Sequence, residues 1–290
     1  MISKLVLGTA KFGINNYGFS SEEPRLPVKK MLDLAKNLGI DTLDTSPRYG
    51  FAEKMIGQYH KESTNIYKVS TKVDNLEPSS KKSPYQINKS VLNSIQDLNV
   101  DSLETLYLHQ NEIDIISDKK IMNSLENLKV EGYVKKIGVS VYSTEECNFA
   151  LQSKVYDVIQ LPVSILDSHI YSQINHLGFS KEIVARSIFL QGVLLNREHI
   201  MERIKHADDL TLFLRNLDEI AIKYKYNLVD LAVAYVAGLP MIDYFIVGTS
   251  SGRNLEKIFN ASKIVLSDDL NNLLQENSTK YKSWANPRNW

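Results

Sequence analysis

The chain has 290 residues, 43% of them hydrophobic, and its 34 Lys and Arg balance its 34 Asp and Glu. That length and apolar content suffice for a sizeable core in one large α/β domain or two smaller ones. The absence of net charge argues against general binding to nucleic acid or to an acidic membrane surface, and a single cysteine, Cys147, excludes an intrachain disulfide and a multi-cysteine zinc site.

The opening residues, MISKLVLGTAKFG, carry too short an apolar run for a signal peptide, and no stretch reaches the roughly 18 apolar residues of a membrane span. A cytoplasmic location is expected. Lys4–Thr9 reads as a buried strand, followed by a loop rich in Gly and Asn to Pro27. Val28–Asn37 is amphipathic, with Met31, Leu34, Ala35 and Leu38 on one face, and Gly39 stops it. Ile40–Asp44 is a second strand. The turn Thr45-Ser46-Pro47-Arg48-Tyr49-Gly50 leads to a helix over Ala52–His60, with Glu53 in its first turn.

The same alternation then repeats. Strands are predicted at Ile66–Lys72, Leu103–His109, Val134–Ser140, Val158–Leu161, Ile183–Ser187 and Tyr244–Val247. Helices are predicted at Ser83–Leu98, Lys119–Glu131, Thr144–Gln152, Leu212–Tyr224, Leu228–Ala237 and Asn254–Ala261. Cys147, at the start of one of them, reads as a buried, inert thiol. Eight short strands alternating with helices, without a linker-like change in composition, predict a (β/α)8 TIM barrel forming a single domain over residues 1–290. The tail, residues 281–290, would lie over the barrel. The rival, a doubly wound open sheet, lacks the Gly-x-Gly-x-x-Gly expected after the first strand.

In such a barrel the carboxyl ends of the strands share one face, which carries the chemistry. Three of those ends bear titratable groups, Asp44, Lys72 and His109, and the loop after the second strand adds Tyr49. A lysine beside a phenol favours the phenolate, and an aspartate beside the lysine holds the ammonium charged. A histidine at the same point can donate to a carbonyl oxygen, so together the four suit proton delivery to a carbonyl. Arg48 either meets an anionic substrate or pairs with an acid. The remaining histidines, His60, His169, His176, His199 and His206, have no metal-like spacing with acids and read as surface or loop residues. Phe12, Tyr17, Trp284 and Trp290 read as packing rather than as the lining of a cleft.

From GTAKFG near its start to the helix around Asn260, the chain resembles an aldo-keto reductase. LDTSPRYG, VSTK and LYLHQ match the family's catalytic tetrad. The resemblance implies Tyr49 as general acid, Lys72 tuning it, Asp44 anchoring Lys72, and His109 orienting the carbonyl. It implies hydride transfer between NADP(H), or NAD(H), and a small aldehyde, ketone or alcohol, with a keto or aldose sugar as the guessed substrate. It also places the nicotinamide amide at Ser140 and Gln160, the nicotinamide face against Arg186, and the pyrophosphate at Ser187 and the backbone near Gln191. Gly248, Thr249, Ser250 and Ser251, before a helix, would take the adenosine phosphate, and Arg253 would favour a 2′-phosphate. Three positions depart from the usual pattern: Val141 and Ile258 where the family commonly has Asn, and Arg186 for an aromatic residue. Two other readings fit the fold, an NADP-binding regulatory or sensor subunit and a lyase or isomerase that puts its substrate in the phosphate loop.

Overall fold

A computed structural model describes residues 3–14, 25–174, 180–197, 200–205 and 207–290. Eight parallel strands close on themselves: β1 (Leu5–Gly8), β2 (Thr42–Asp44), β3 (Lys68–Val73), β4 (Leu103–Leu108), β5 (Val134–Ser140), β6 (Val158–Pro162), β7 (Glu182–Arg186) and β8 (Tyr244–Gly248). β1 pairs with both β2 and β8, which rules out an open doubly wound sheet. Among the described residues no helix is long and apolar enough to cross a membrane.

The register brings the chemistry-bearing residues to one level. Gly8 lies opposite both Asp44 and Gly248, Lys72 opposite Tyr107, Ser140 opposite Gln160, and Pro162 opposite Arg186. Alternate side chains point into the barrel, where the ring of Tyr107 fills the space beside Gly138; a Cβ on that glycine would stand 2.4 Å from the ring. Toward the amino-terminal mouth the interior is polar. An opening there is lined by Thr42, Ser70, Thr105, Lys136 and Glu182, among others, and Lys136 spans Glu104 and Glu182 at 3.8 and 2.7 Å.

The helices cover the barrel with apolar faces. Val28–Asn37 buries Met31, Leu32 and Ala35, while Leu34 and Leu38 lie partly buried at its margins. Ser83–Leu98, Thr144–Gln152 and β5 have the bounds expected from the pattern. The strands begin or end a residue or two away where the periodicity runs on into a turn: β2 begins at Thr42, because the Ile40 N–H is taken by Ala35 O. Helices at Ala10–Gly13, Ile113–Ile116, His169–Ile174 and Asp268–Ser278 were not legible as such. In the tail, Trp284 is buried against Phe213, 5.6 Å between ring centres, and the Trp290 indole donates to Trp284 O.

Two histidines are not the surface groups expected. His60 is buried between its helix and the end of the next one. The Tyr67 N–H donates to its Nε2, so Nδ1 carries the proton and donates to Leu98 O at 2.8 Å. His169, mostly buried, pairs with Asp167 at 2.8 Å and meets the Tyr281 ring edge-on. Tyr17, His176, His199 and His206 lie outside the described residues.

Candidate active site

Asp44 and Lys72 end neighbouring strands and face inward, both almost fully buried. Lys72 Nζ donates to Asp44 Oδ1 at 2.6 Å and to Thr45 O at 2.9 Å. The other carboxylate oxygen, Oδ2, accepts from Gln160 Nε2 at 3.0 Å. Two unit charges removed from water cost several kcal/mol each unless paired and further hydrogen-bonded, and here each has a second partner. The ammonium lies between two phenol rings, 5.5 Å from the centre of Tyr49 and 5.9 Å from that of Tyr107.

Tyr49 is delivered by a turn that closes onto the segment after β1. Its N–H donates to Ser46 O, Gly50 takes φ +57°, and a Cβ on Gly13 would come within 1.8 Å of Tyr49 O. Glycine at positions 13 and 50 is therefore what lets the two loops touch. Burial pushes the Tyr49 phenol well above its ordinary value near 10; Asp44 adds to the push, and Arg186 pulls the other way. Lys72, the group expected to tune Tyr49, is paired with Asp44 and lies 5.5 Å from the centre of the phenol ring.

His109 follows β4. Its N–H donates to Val73 O, and Gln110 bonds both N–H and C=O of Leu76, so the loop after β3 is pinned beside it. That loop carries Asp74, which the sequence reading passed over. Asp74 Oδ2 lies 3.0 Å from His109 Nδ1, with the ring N–H off the line between them, and 2.7 Å from Arg48 Nε. Its Oδ1 accepts from the Asn75 N–H at 2.8 Å, with Asn75 at φ +59°, and Asn75 Oδ1 accepts from the Arg48 guanidinium. Burial would raise the Asp74 carboxyl, but His109, the Asn75 N–H and Arg48 outweigh it and hold it below the usual range. Arg48 thus pairs with an acid, and the signal in the sequence was a single Asp two residues beyond Lys72.

On the far side of the barrel, Ser143 caps Thr144–Gln152 in a capping box with Glu146. Glu146 also accepts from the Tyr142 N–H at 2.7 Å. The Arg186 guanidinium stacks on that ring, 3.9 Å from its centre, and donates to Ser140 Oγ, Val141 O and Ser187 Oγ. Gln160 and Ser140, expected to serve the nicotinamide amide, are thus engaged by Asp44 and Arg186. Past β7, three non-glycine residues take positive φ, Ser187 (+61°), Leu190 (+45°) and Gln191 (+52°). Such backbone is costly, is retained at functional loops, and turns successive N–H groups into an anion-binding concavity.

After β8, Ser251 caps Gly252–Ala261, its Oγ accepting from the Asn254 N–H at 3.4 Å. Thr249 is buried, its Oγ1 taken by the Ser251 N–H, whereas Gly248 and Arg253 are exposed. A helix N-terminus with a cation in its first turn is the kind of place where an anion can be held. Ile258 is buried in the core, so the position that often carries Asn cannot reach a ligand from here. Cys147 is fully buried and its thiol is pushed up to about 12, chiefly by burial.

The profile described as Aldo/keto reductase family matches residues 4–278. The chain is 30% identical to D-arabinose 1-dehydrogenase of Saccharomyces cerevisiae over 150 residues, 49% of this chain and 43% of that protein, so less than half the length of that relative is spanned. It is 22% identical to the NADH-specific methylglyoxal reductase of Escherichia coli, over 95% of this chain and 94% of that one. An aldo-keto reductase from Bacillus halodurans, in its apo form, superposes with a TM-score of 0.71 at 22% identity, over 89% of each chain.

Proposed function

This chain belongs to the aldo/keto reductase family, and we propose that it is an NADP(H)-linked carbonyl reductase in which Tyr49 is the general acid. The observation that carries this reading is a phenol kept protonated above a buried Asp44–Lys72 pair, on the face where a (β/α)8 barrel does its chemistry. The reduced nicotinamide, when bound, supplies the hydride. As the substrate oxygen gains charge, Tyr49 gives it a proton, and the phenolate left behind is stabilised by the nearby Lys72 ammonium. Asp44 and Thr45 O hold that ammonium in place, and Gln160 holds Asp44. Arg186 and Ser140 would line the nicotinamide, Ser187 and the Gln191 backbone the pyrophosphate, and the segment from Gly248 to Ser251, with Arg253, the adenosine phosphate.

The test is oxidation of NADPH and NADH by purified protein across a panel of aldehydes and ketones. Tyr49→Phe is expected to lower kcat by about 10²–10⁴, the usual worth of a positioned proton donor, and to leave the cofactor Kd unchanged. Turnover of Tyr49→Phe at the wild-type rate would overturn the assignment.

A further inference from the structure

We propose that the outer face of the helix Ala207–Tyr224 is an interaction surface for a second copy of this chain, the two helices lying antiparallel across a two-fold axis. The inference is independent of the carbonyl-reductase reading, and it concerns a face that carries none of the proposed site residues.

The helix turns one side to the body of the molecule, where Ala207, Leu210, Leu214, Leu217 and Ala221 are buried. A surface helix ordinarily carries polar groups on its other side. Here that side carries Asp208, Leu212, Arg215, Glu219 and Ile222, all exposed, and Leu212 and Ile222 leave 61% and 77% of their surface in water. The intervals alternate between four and three residues, the spacing of a coiled-coil seam, which keeps all five on one narrow stripe. Single exposed apolar residues are normal on a surface. Two on one seam, with opposite charges between them, form a pattern.

The order along the stripe decides what covers it. Leu212 and Ile222 stand five residues either side of position 217, and Arg215 and Glu219 stand two residues either side. At 1.5 Å per residue these are about 7.5 Å and 3 Å along the axis from a common midpoint. A copy rotated about that midpoint sets Leu212 against Ile222 of the second copy and Arg215 against its Glu219. Each contact then occurs twice, as an isologous interface requires. The ends agree. Exposed Asp208 and Asp209 open the helix and exposed Lys223 and Lys225 follow at its close, so each acidic end meets a basic one and the helix dipoles oppose. A parallel copy would instead set Arg215 against Arg215 and Glu219 against Glu219. Both charges are available: among the described residues neither side chain has a hydrogen bond or ion pair. The neighbouring Asp218, by contrast, is taken by Arg197 at 2.6 and 2.8 Å. One helix pair covers less than the roughly 800 Å² per partner of a standard interface, so the association is weak and depends on concentration.

Sedimentation equilibrium of the full chain tests this. Wild type is expected to pass from the 33.0 kDa of one chain toward twice that mass as concentration rises from about 1 to 500 μM. Arg215→Glu and Glu219→Arg each set like charges across the axis and are expected to weaken self-association about tenfold or more. Both positions are exposed, so the melting temperature should stay within about 2 °C of wild type. An equimolar mixture of the two variants is expected to associate as strongly as wild type, because every charge then meets its opposite. Orientation is read by disulfide formation with diamide, Cys147 being fully buried. Leu212→Cys mixed with Ile222→Cys is expected to cross-link severalfold faster than either variant alone, whose own cysteines would stand too far apart. A wild-type chain that stays monomeric throughout, charge variants that associate like wild type, or a mixture no stronger than its components overturns the proposal. Faster cross-linking of either cysteine variant alone overturns it too.

Discussion

Lys72 and Asp44 show why a buried charge pair is tested by removing one partner at a time. With Asp44 gone, the ammonium keeps only Thr45 O; with Lys72 gone, the carboxylate keeps only Gln160. Either single change strands a charge in a place with almost no water, and breaking a buried pair in this way costs about 3–5 kcal/mol. Asp44→Asn and Lys72→Met should each destabilise the fold by about that much in urea denaturation. The double variant should recover part of the loss, because it strands neither charge. Single losses below about 1 kcal/mol would show that water or a neighbour satisfies the survivor. The four tetrad residues were legible because each ends a strand or follows one, and strand ends can be located from apolar runs. Asp74 was not. Its role depends on a loop that Gln110 and Val73 fold back against β4, and no periodicity in the sequence encodes that contact.

Packing between segments sets the position of Tyr49 as firmly as its own turn does. The missing Cβ at Gly13 is where Tyr49 O sits, so Gly13→Ala must push the tyrosine loop outward. Overpacking of this kind costs about 1–3 kcal/mol. The expected outcome is a lower melting temperature with a fall in kcat and little change in cofactor Kd; a variant with wild-type kcat would mean the loop yields without moving the phenol. His60 joins three segments in a comparable way. Burial depresses its basicity first; the bond to Leu98 O works against that, and Lys36 adds to it. With a folded-state value below the unfolded one near 6.5, the unfolded chain binds more protons as pH falls, so stability is fully present above about pH 6.5 and is lost below it. His60→Gln should flatten that acid limb in denaturation curves taken between pH 7 and 5; an unchanged limb would place the sensitivity elsewhere. A lone histidine in an amphipathic helix gave no sign of this, because its partners, Leu98 O and the Tyr67 N–H, come from the next helix and the approach to β3.

The barrel as a whole was legible because alternation of strand and helix, counted to eight, leaves few closed solutions. Short helices such as His169–Ile174 escaped because six residues are too few to show a period. Closure also makes ligand binding a property of the entire molecule. The proposed cofactor groups come from β5, β6, β7, β8 and the helix after it, and these strands pair in an unbroken ring with those bearing the tetrad. A dinucleotide that binds only the folded ring stabilises all of it, by about 2.7 kcal/mol at one hundred times its Kd. For a domain of this size each kcal/mol raises the melting temperature by roughly 2–4 °C, so saturating NADPH should raise Tm by about 5–10 °C. If Arg253, exposed at the start of Gly252–Ala261, meets a 2′-phosphate, NADH at equal concentration should give a smaller shift. Arg253→Ala should then remove most of the difference while sparing the shift with NADH. Equal shifts for both cofactors in wild type would remove Arg253 from cofactor selection, and no shift with either would contradict dinucleotide binding itself.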